Sequence, residues 1–245
     1  FETAKEIAKQ GFALRLILAG RSDIASAEGK LNVLRGLGVE AEYVQADVRD
    51  ASEVELLVNV GNARGDLRGI IHSPGVIRDG RLVRQEWDEF DEVFEAKAIG
   101  ARHLHEKSKH LELEYFVLFS SAASVLGSPG QGAHAAANAY LDALAGHRAH
   151  LGLQGLSVNW GPWSEVGMAA LAGVDNRLGA AGVASISPAD GAKMAISLLS
   201  SERRQVMALT VDWARWNEYF GADQPRLFEK LSSRASTEVT REKAH

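Results

Sequence analysis

Residues 115–138 read YFVLFSSAASVLGSPGQGAHAAAN, a short apolar run followed by a turn rich in glycine and serine and then by alanine-rich sequence. An apolar run of this length is typical of a strand that is buried on both faces of a sheet. The alanine-rich sequence continues with helical character, so we predict a helix over residues 131–150. A buried strand that leads through a turn into a long helix is the building block of βαβ units, which predicts a parallel sheet flanked by helices.

The same alternation of short apolar runs and longer helical stretches extends over the rest of the chain. Further strands are predicted at residues 14–19, 41–46, 69–72, 156–160 and 206–210. Helices are predicted at residues 2–10, 23–36 and 86–110, and another is predicted to begin at Ser52. Ser52 is the predicted N-cap of that helix, with Glu55 completing a capping box. The fold class is therefore α/β, a Rossmann-type doubly wound parallel sheet.

The beginning of the chain lacks two parts of such a sheet. A dinucleotide-binding sheet starts with a strand, a glycine-rich turn and a helix whose N-terminus holds a pyrophosphate. The sequence FETAKEIAKQG at residues 1–11 corresponds to that helix, and no G-x-G-x-x-G occurs in the chain. We therefore expect that the first strand and the glycine-rich turn are absent from the chain as given, which is a piece of a longer polypeptide.

The composition excludes several classes of protein. The chain has 245 residues, 46% of them hydrophobic and 24% charged, which is ordinary for a globular domain. A net charge of −5 argues against a nucleic-acid surface, which needs clustered lysine and arginine. The absence of cysteine excludes disulfides, thiolate nucleophiles and cysteine-ligated zinc. No apolar run approaches the roughly 18 residues of a membrane span, so we expect a cytoplasmic protein with neither a membrane nor a nucleic acid as partner.

Residues at the carboxyl ends of the first two predicted strands are candidates for cofactor binding. Arg21 and Ser22 follow the strand at 14–19, where a basic residue can neutralise the 2′-phosphate of NADPH and an acidic one favours NADH. The alternative is that Arg21 is a solvated loop charge. Asp47 and Val48 follow the next strand, where a side chain can meet the adenine, although an aspartate before a helix is commonly a turn or cap residue.

A second group of candidates surrounds the next two strands. Ser73, Pro74 and Gly75 follow the strand at 69–72 and form either a loop that lets the backbone approach a cofactor or a plain turn. Ser121 ends the strand at 115–120, and His134 and Asn138 share one face of the following helix. A serine facing a histidine could belong to a hydrolase. However, no G-x-S-x-G surrounds the serine and no supporting acid is evident.

Metal binding is not favoured. His103 and His105 point to different faces of their helix, and His147 with His150 lacks a carboxylate or third ligand at metal-site spacing.

Together these motifs resemble the ketoreductase domain of a modular polyketide synthase, in the short-chain dehydrogenase/reductase superfamily. The resemblance runs in order from residue 1 to about residue 212. The matching stretches are LILAGRS, ADVRD, GIIHSPGV, EAKAIGARHLHE, YFVLFSSAAS, SPGQGAHAAANAYLDALAGHR and VNWGPWSEVGMA. The resemblance makes residues 1–228 a ketoreductase catalytic subdomain that is truncated at its N-terminus. Residues 229–245 are then a polar C-terminal linker.

The resemblance also implies catalytic roles. The family's active-site lysine falls on Lys97, its serine on Ser121 and its asparagine on Asn138. The family's catalytic tyrosine falls on His134, because residues 132–138 read GAHAAAN where the usual pattern is A-x-Y-A-A-A-N. This substitution is the main departure from the family.

A ketoreductase of this family uses NADPH to reduce a β-keto thioester, carried by an acyl carrier protein, to a β-hydroxy thioester. The tyrosine supplies the proton. An imidazole is shorter than a phenol, and a nearby Lys97 ammonium disfavours the imidazolium. We therefore expect an impaired reductase. The alternative is a ketoreductase-like domain that does not reduce and serves the synthase as scaffold, epimerase or binding module.

Three further assignments depend on the resemblance. Members that give the D-configured alcohol, called B-type, carry L-D-D after the third-strand loop, where this chain has Ile77-Arg78-Asp79. The last aspartate is kept, and Leu126 stands where A-type members have their diagnostic tryptophan. The chain therefore resembles a B-type enzyme with Asp79 near the substrate. Pro162 and Trp163 correspond to a segment near the nicotinamide, or form a structural turn. Residues 176–183 correspond to the end of a lid.

Overall fold

Strands and helices alternate along the chain in the computed structural model, which describes residues 1–11, 14–76, 78–165, 179–221 and 226–228. The helices are α1 (Glu2–Lys9), α2 (Glu28–Gly36), α3 (Ala51–Gly61), α4 (Trp87–Phe94), α5 (Gly100–Ser108), α6 (Ala123–Leu126), α7 (Gly132–His150), α8 (Pro188–Leu199) and α9 (Trp213–Phe220). The strands are β1 (Arg15–Gly20), β2 (Glu40–Gln45), β3 (Gly69–His72), β4 (Tyr115–Ser121), β5 (Leu156–Trp160), β6 (Val183–Ala184), β7 (Gln205–Ala208) and β8 (Thr210–Val211). Within these ranges no helix has the length and apolar character needed to cross a membrane.

The strands form a parallel arrangement of the predicted kind. Four of them pair in the order β3-β4-β5-β7, and β1 pairs with β2 in a second parallel sheet. Among the described strands none joins β1 to β3. A short antiparallel pair, β6 with β8, lies outside the prediction. The α/β Rossmann-type fold with a doubly wound parallel sheet is confirmed.

Helices cover both faces of the parallel strands. Residues of β4 alternate between two core clusters: Phe116 and Leu118 pack with α3, α5 and α7, whereas Val117 packs with β5 and α8. This alternation follows from the period of two along a strand, and it explains why an almost unbroken apolar run was needed there. The strand is therefore buried on both sides, and its carboxyl end is held rigidly between the two helix layers.

The start of α3 differs from the prediction. The N-cap is Asp50, whose carboxylate accepts hydrogen bonds from the backbone N–H groups of Ser52 and Glu53 at 2.7 and 3.0 Å. The Ser52–Glu55 capping box was wrong, because the helix begins one residue earlier and Ser52 already lies inside it. Glu55 instead accepts a hydrogen bond from Lys107 of α5 at 2.5 Å.

Truncating this cap is expected to destabilise the protein. Asp50→Ala leaves two N–H groups of the first turn without their acceptor, which should lower the free energy of unfolding by about 0.5–2 kcal/mol. Ser52→Ala is the matched control and should change stability much less. Urea denaturation of both variants measures the difference, and equal losses would contradict the assignment of Asp50 as the cap.

The predicted helix over residues 86–110 contains an irregular turn. Between α4 and α5 the backbone of Glu95–Ile99 forms a π turn, with Lys97 at its centre. Gly100 follows directly, and a Cβ there would lie 2.7 Å from Cγ2 of Val48, so only glycine allows the helix to approach this closely. Single π turns inside α-helices occur frequently at functional sites, because they redirect one side chain without ending the helix.

Candidate active site

Lys97 reaches from the π turn to the carboxyl end of β4. Its side chain is 4% exposed, and Nζ donates a hydrogen bond to the carbonyl oxygen of Phe119 at 2.6 Å. Burial lowers the pKa of the Lys97 amine to about 8, against the opposing effect of the Asp142 carboxylate. An ammonium group with such a pKa is still mostly protonated at neutral pH and can exchange its proton readily.

The backbone carbonyl of Lys97, like its side chain, has a hydrogen-bond partner. His72, the last residue of β3, is buried, and its Nε2 lies 2.8 Å from the Lys97 carbonyl oxygen. A carbonyl can only accept, so Nε2 carries the hydrogen and donates it. Burial lowers the pKa of His72 to about 3, which keeps the ring neutral. Sequence reasoning placed residue 72 at the end of a predicted strand and missed this contact.

Ser121 ends β4 with its hydroxyl in a defined orientation. Its Oγ accepts a hydrogen bond from the backbone N–H of Ala123 at 3.2 Å. Because that bond occupies the oxygen as an acceptor, the hydroxyl hydrogen remains available to a further acceptor. The preceding Ser120 has a structural role, because its Oγ donates a hydrogen bond to the carbonyl of Asn138 at 3.1 Å and so links β4 to α7.

His134 and Asn138 lie one turn apart on α7. The Asn138 side-chain amide donates to the carbonyl oxygen of His134 at 2.7 Å. His134 Nδ1 and Asn138 Oδ1 are buried and have no hydrogen-bond partner among the described residues. Burial, with a smaller contribution from the Lys97 charge, lowers the pKa of His134 to about 4. The imidazole is therefore neutral at physiological pH.

The carboxyl end of β1 presents the residues predicted for the adenosine end of a cofactor. Arg21 and Ser22 are exposed, and their carbonyls are held by Gln45 and Tyr43 of β2 at 3.0 and 2.7 Å. Asp47 differs, because Arg49 binds its carboxylate with contacts of 2.6 and 2.9 Å and this pairing lowers the Asp47 pKa. Arg21 and Ser22 thus offer a cation and a hydroxyl to an anion, whereas the Asp47 carboxylate is already engaged.

A family model described as KR domain matches residues 1–165 of the chain. The chain belongs to the KR domain family. The resemblance to ketoreductases of polyketide synthases, inferred from the motifs, is confirmed.

The relatives of this KR domain are polyketide synthases. It is 38% identical over 224 residues to polyketide synthase GfsB of Streptomyces halstedii, covering 91% of the chain and 4% of that protein. It is 42% identical over 211 residues to the spectinabilin polyketide synthase system protein NorB of Streptomyces orinoci, covering 82% of the chain and 10% of that protein. The chain thus spans a small fraction of the length of these relatives.

Solved structures of ketoreductases are also similar to this chain. PlmKR1, the ketoreductase from the first module of phoslactomycin biosynthesis in Streptomyces sp. HK803, is 33% identical with a TM-score of 0.82, over 91% of this chain and 52% of that one. An alcohol dehydrogenase from the archaeon Thermococcus sibiricus, complexed with 5-hydroxy-NADP, is 18% identical with a TM-score of 0.71, over 86% of this chain and 91% of that one. The second likeness shows the shared short-chain dehydrogenase fold alone.

The remaining predicted cofactor residues of the KR domain differ in how they are held. Val48 packs against Gly100, and its carbonyl lies 3.2 Å from Nδ1 of His103. Ser73, Pro74 and Gly75 form an irregular segment directly after β3, at the edge where its neighbour β4 carries Ser121. These residues lie at the carboxyl ends of their strands, as the prediction requires.

Pro162 and Trp163 follow β5 in the KR domain, and both contact neighbouring elements. The Pro162 carbonyl accepts from the N–H of Ile186 at 2.8 Å. The Trp163 indole meets Trp160 edge to face at 5.2 Å, and it occupies the space where a Cβ of Gly191 in α8 would lie. Its ring therefore packs between β5 and α8.

The carboxylate of Asp79 contacts Gln131, the N-cap residue of α7. Both of its carboxylate oxygens accept from Nε2 of Gln131, at 3.2 and 3.0 Å, and Gln131 is three residues before His134. Arg78 pairs with Glu92 of α4 through contacts of 2.8 and 3.1 Å. Ile77, residues 176–178 of the lid segment and residues 229–245 of the linker lie outside the described residues.

Sequence reasoning missed one acid beside the site and found no metal site. Asp142 lies eight residues after His134, two turns further along α7, and accepts a hydrogen bond from Ser124. Ser124 belongs to residues 121–124, which we call the Ser121 turn. The helical spacing of Asp142 from His134 and Asn138 was the available signal. In the part of the chain that the structure describes, no group of three histidine, aspartate or glutamate side chains could hold a metal ion.

Proposed function

We propose that this KR domain catalyses the NADPH-dependent reduction of a β-keto thioester, carried by an acyl carrier protein, to a β-hydroxy thioester, at a rate severely limited by His134. The observation that carries the proposal is the grouping of Lys97, Ser121 and Asn138 around the carboxyl end of β4, with His134 in the fourth position. Membership of the ketoreductase family supports the reaction class.

The residues present fit the cofactor in part. Arg21 and Ser22, exposed at the end of β1, would hold the 2′-phosphate side of the adenosine. Asp47 and Val48, the segment Ser73-Pro74-Gly75, and Pro162 with Trp163 would line the rest of the cofactor. NADPH, when bound, supplies a hydride to the keto carbon of the substrate.

The chain's own residues act on the substrate oxygen. As the carbon is reduced, the electron pair of the C=O bond passes to the oxygen, which needs a hydrogen-bond donor and then a proton. The free hydroxyl hydrogen of Ser121 supplies the hydrogen bond. The Lys97 ammonium, with a pKa of about 8, holds a proton close by. The missing part is a group that delivers this proton, because a neutral imidazole is a much weaker acid than an imidazolium.

Asp79 supports the stereochemical proposal. We assign the KR domain to the B-type, which gives the D-configured alcohol, because Asp79 occupies the last position of the L-D-D motif and Leu126 replaces the A-type tryptophan. Its contact with Gln131 puts Asp79 beside the start of the helix that carries His134.

The proposed partners follow from the same assignment. The substrate arrives on the phosphopantetheine of an acyl carrier protein, and further synthase domains supply and consume it, as expected for a domain of a multifunctional synthase. Such a synthase acts in the cytoplasm.

The second candidate is a domain that no longer reduces and serves as scaffold, epimerase or binding module. The neutral imidazole of His134, whose buried Nδ1 has no hydrogen-bond partner among the described residues, favours this alternative. Two measurements on the complete domain, with its glycine-rich turn, distinguish the two functions: turnover of a diketide thioester mimic with NADPH, followed by loss of NADPH absorbance, and NADPH binding, followed by fluorescence. Binding without turnover supports the non-reducing role.

Ser121 provides a specific test of the reductase. In the His134→Tyr variant, Ser121→Ala removes the hydroxyl donor and is expected to lower kcat by about 10²–10³-fold with little change in NADPH affinity. Ser128→Ala is the matched control, because Ser128 lies between α6 and α7, and this variant should retain kcat. If the Ser121→Ala protein reduces the mimic as fast as its parent, Ser121 has no part in the reaction.

A further inference from the structure

A carboxylate outside the predicted site accepts hydrogen bonds from three side chains of two segments. Asp142 of α7 accepts from the hydroxyl of Ser157 at 2.5 Å and from the hydroxyl of Ser124 at 2.7 Å. The side-chain amide of Asn159 lies 3.0 and 2.9 Å from its two oxygens. Ser157 and Asn159 belong to β5 and Ser124 to α6, so one side chain links helix, strand and turn.

The same donors contact the turn that carries Ser121. Ser124 Oγ lies 2.8 Å from the Ser121 carbonyl oxygen, and because a hydroxyl has one hydrogen, Ser124 donates either to that oxygen or to Asp142. Asn159 Nδ2 lies 3.3 Å from the same carbonyl oxygen, and its two hydrogens can serve both the carboxylate and the turn. Asn159 Oδ1 accepts from Nε2 of Gln205 in β7 at 3.0 Å, which fixes the orientation of the amide. Its NH₂ group must therefore face Asp142 and the turn.

The cluster is costly to leave incomplete. Ser157 and Asn159 are almost completely buried, so their donors have no water to replace the carboxylate. Hydrogen bonds to an ionised acceptor are stronger than those between neutral groups, and a buried donor without a partner carries its full desolvation cost. The arrangement of the turn thus depends on the charge and the acceptor oxygens of Asp142.

We propose that Asp142 is a positioning residue: by holding Ser124, Ser157 and Asn159 it fixes the Ser121 turn against α7, and so sets the place of the Ser121 hydroxyl relative to residues 134 and 138. The inference rests on the proposed function for its catalytic consequence. Asp142 contacts no reacting atom and acts through the turn.

The test removes the charge of Asp142. Asp142→Asn presents an NH₂ group or a weaker neutral acceptor to the Asn159 amide and to the hydroxyls of Ser124 and Ser157. Asp190→Asn is the matched control, because Asp190 likewise accepts from a serine hydroxyl, that of Ser187 at 2.6 Å, at the start of α8. Both are made in the His134→Tyr variant.

The first readout is reduction of the diketide thioester mimic. Asp142→Asn is expected to lower kcat by about 10–100-fold, as for a misplaced reacting group, while KM for NADPH stays within about twofold. Asp190→Asn should show no such loss. An unchanged kcat in Asp142→Asn, even with a lowered melting temperature, would reduce the cluster to a stabilising role and overturn the proposal.

The second readout does not need activity. Amide hydrogen exchange at Ala123, whose N–H donates to Ser121 Oγ, should become about tenfold faster in Asp142→Asn and stay unchanged in Asp190→Asn. Absence of reduction by the His134→Tyr parent would refute the proposed function, and the exchange rate at Ala123 would then decide the positioning role alone. Unchanged exchange there would overturn it.

Discussion

Replacing His134 by tyrosine is expected to raise the rate of NADPH-dependent reduction of a diketide thioester by about 10²–10⁴-fold, the usual contribution of a well-placed general acid. The reason lies in the state of the imidazole. With a pKa of about 4, only about one His134 ring in a thousand is protonated at pH 7. A phenol has a proton to give at neutral pH, and its longer side chain reaches further toward the substrate oxygen.

The matched control is His134→Phe. Phenylalanine fills the same volume as tyrosine but has no hydroxyl, so it separates proton delivery from repacking of the half-buried position. We expect His134→Phe to remain as slow as the wild type, with thermal melts confirming that all three proteins fold. Similar rates for the wild type and His134→Tyr would show that the histidine does not impair the reaction.

The protein is also expected to lose stability as the pH falls below 6.5. The pKa of His72 is lowered to about 3 and that of His134 to about 4, while burial and the neighbouring Arg148 lower the pKa of His105. In the unfolded chain each histidine titrates near its ordinary value of about 6.5, so unfolding takes up protons below that pH. The stabilisation is complete above pH 6.5 and is lost on the way down to about pH 4 and 3.

The expected slope is large for a single domain. Each buried histidine contributes about 1.4 kcal/mol per pH unit within its window. Urea denaturation at pH 7.5, 6.5 and 5.5 measures how the free energy of unfolding depends on pH. These pH values lie above the range in which most carboxylates titrate. His72→Gln keeps a donor for the Lys97 carbonyl but cannot titrate, so its stability should depend less on pH than that of the wild type.

The control for this series is His150→Gln, because it makes the same exchange at a histidine that is exposed at the end of α7. A His72→Gln protein with the same pH dependence as the wild type would contradict a buried neutral His72.

Much of the fold follows from local sequence. The strands at 69–72 and 156–160 have the predicted bounds, because a run too short for a helix and bounded by turn residues favours a buried strand. The cap of α3 was misassigned, since Asp50 and Ser52 are both good N-caps and only the packing of the helix selects between them. The antiparallel pair of β6 with β8 joins two segments that are distant in sequence, which no local pattern indicates.

The residue types of the candidate site were determined by the sequence alone: a lysine, a serine and an asparagine at the spacing of the ketoreductase family, and a histidine where that family has tyrosine. Only the tertiary structure decided their chemical states. Burial makes Lys97 a weaker base and His134 neutral, and the Asp142 cluster holds the Ser121 turn. The physical reason is that pKa values and hydrogen-bond partners depend on desolvation and on groups from β3, β4, β5 and α7, which come together only when the chain folds.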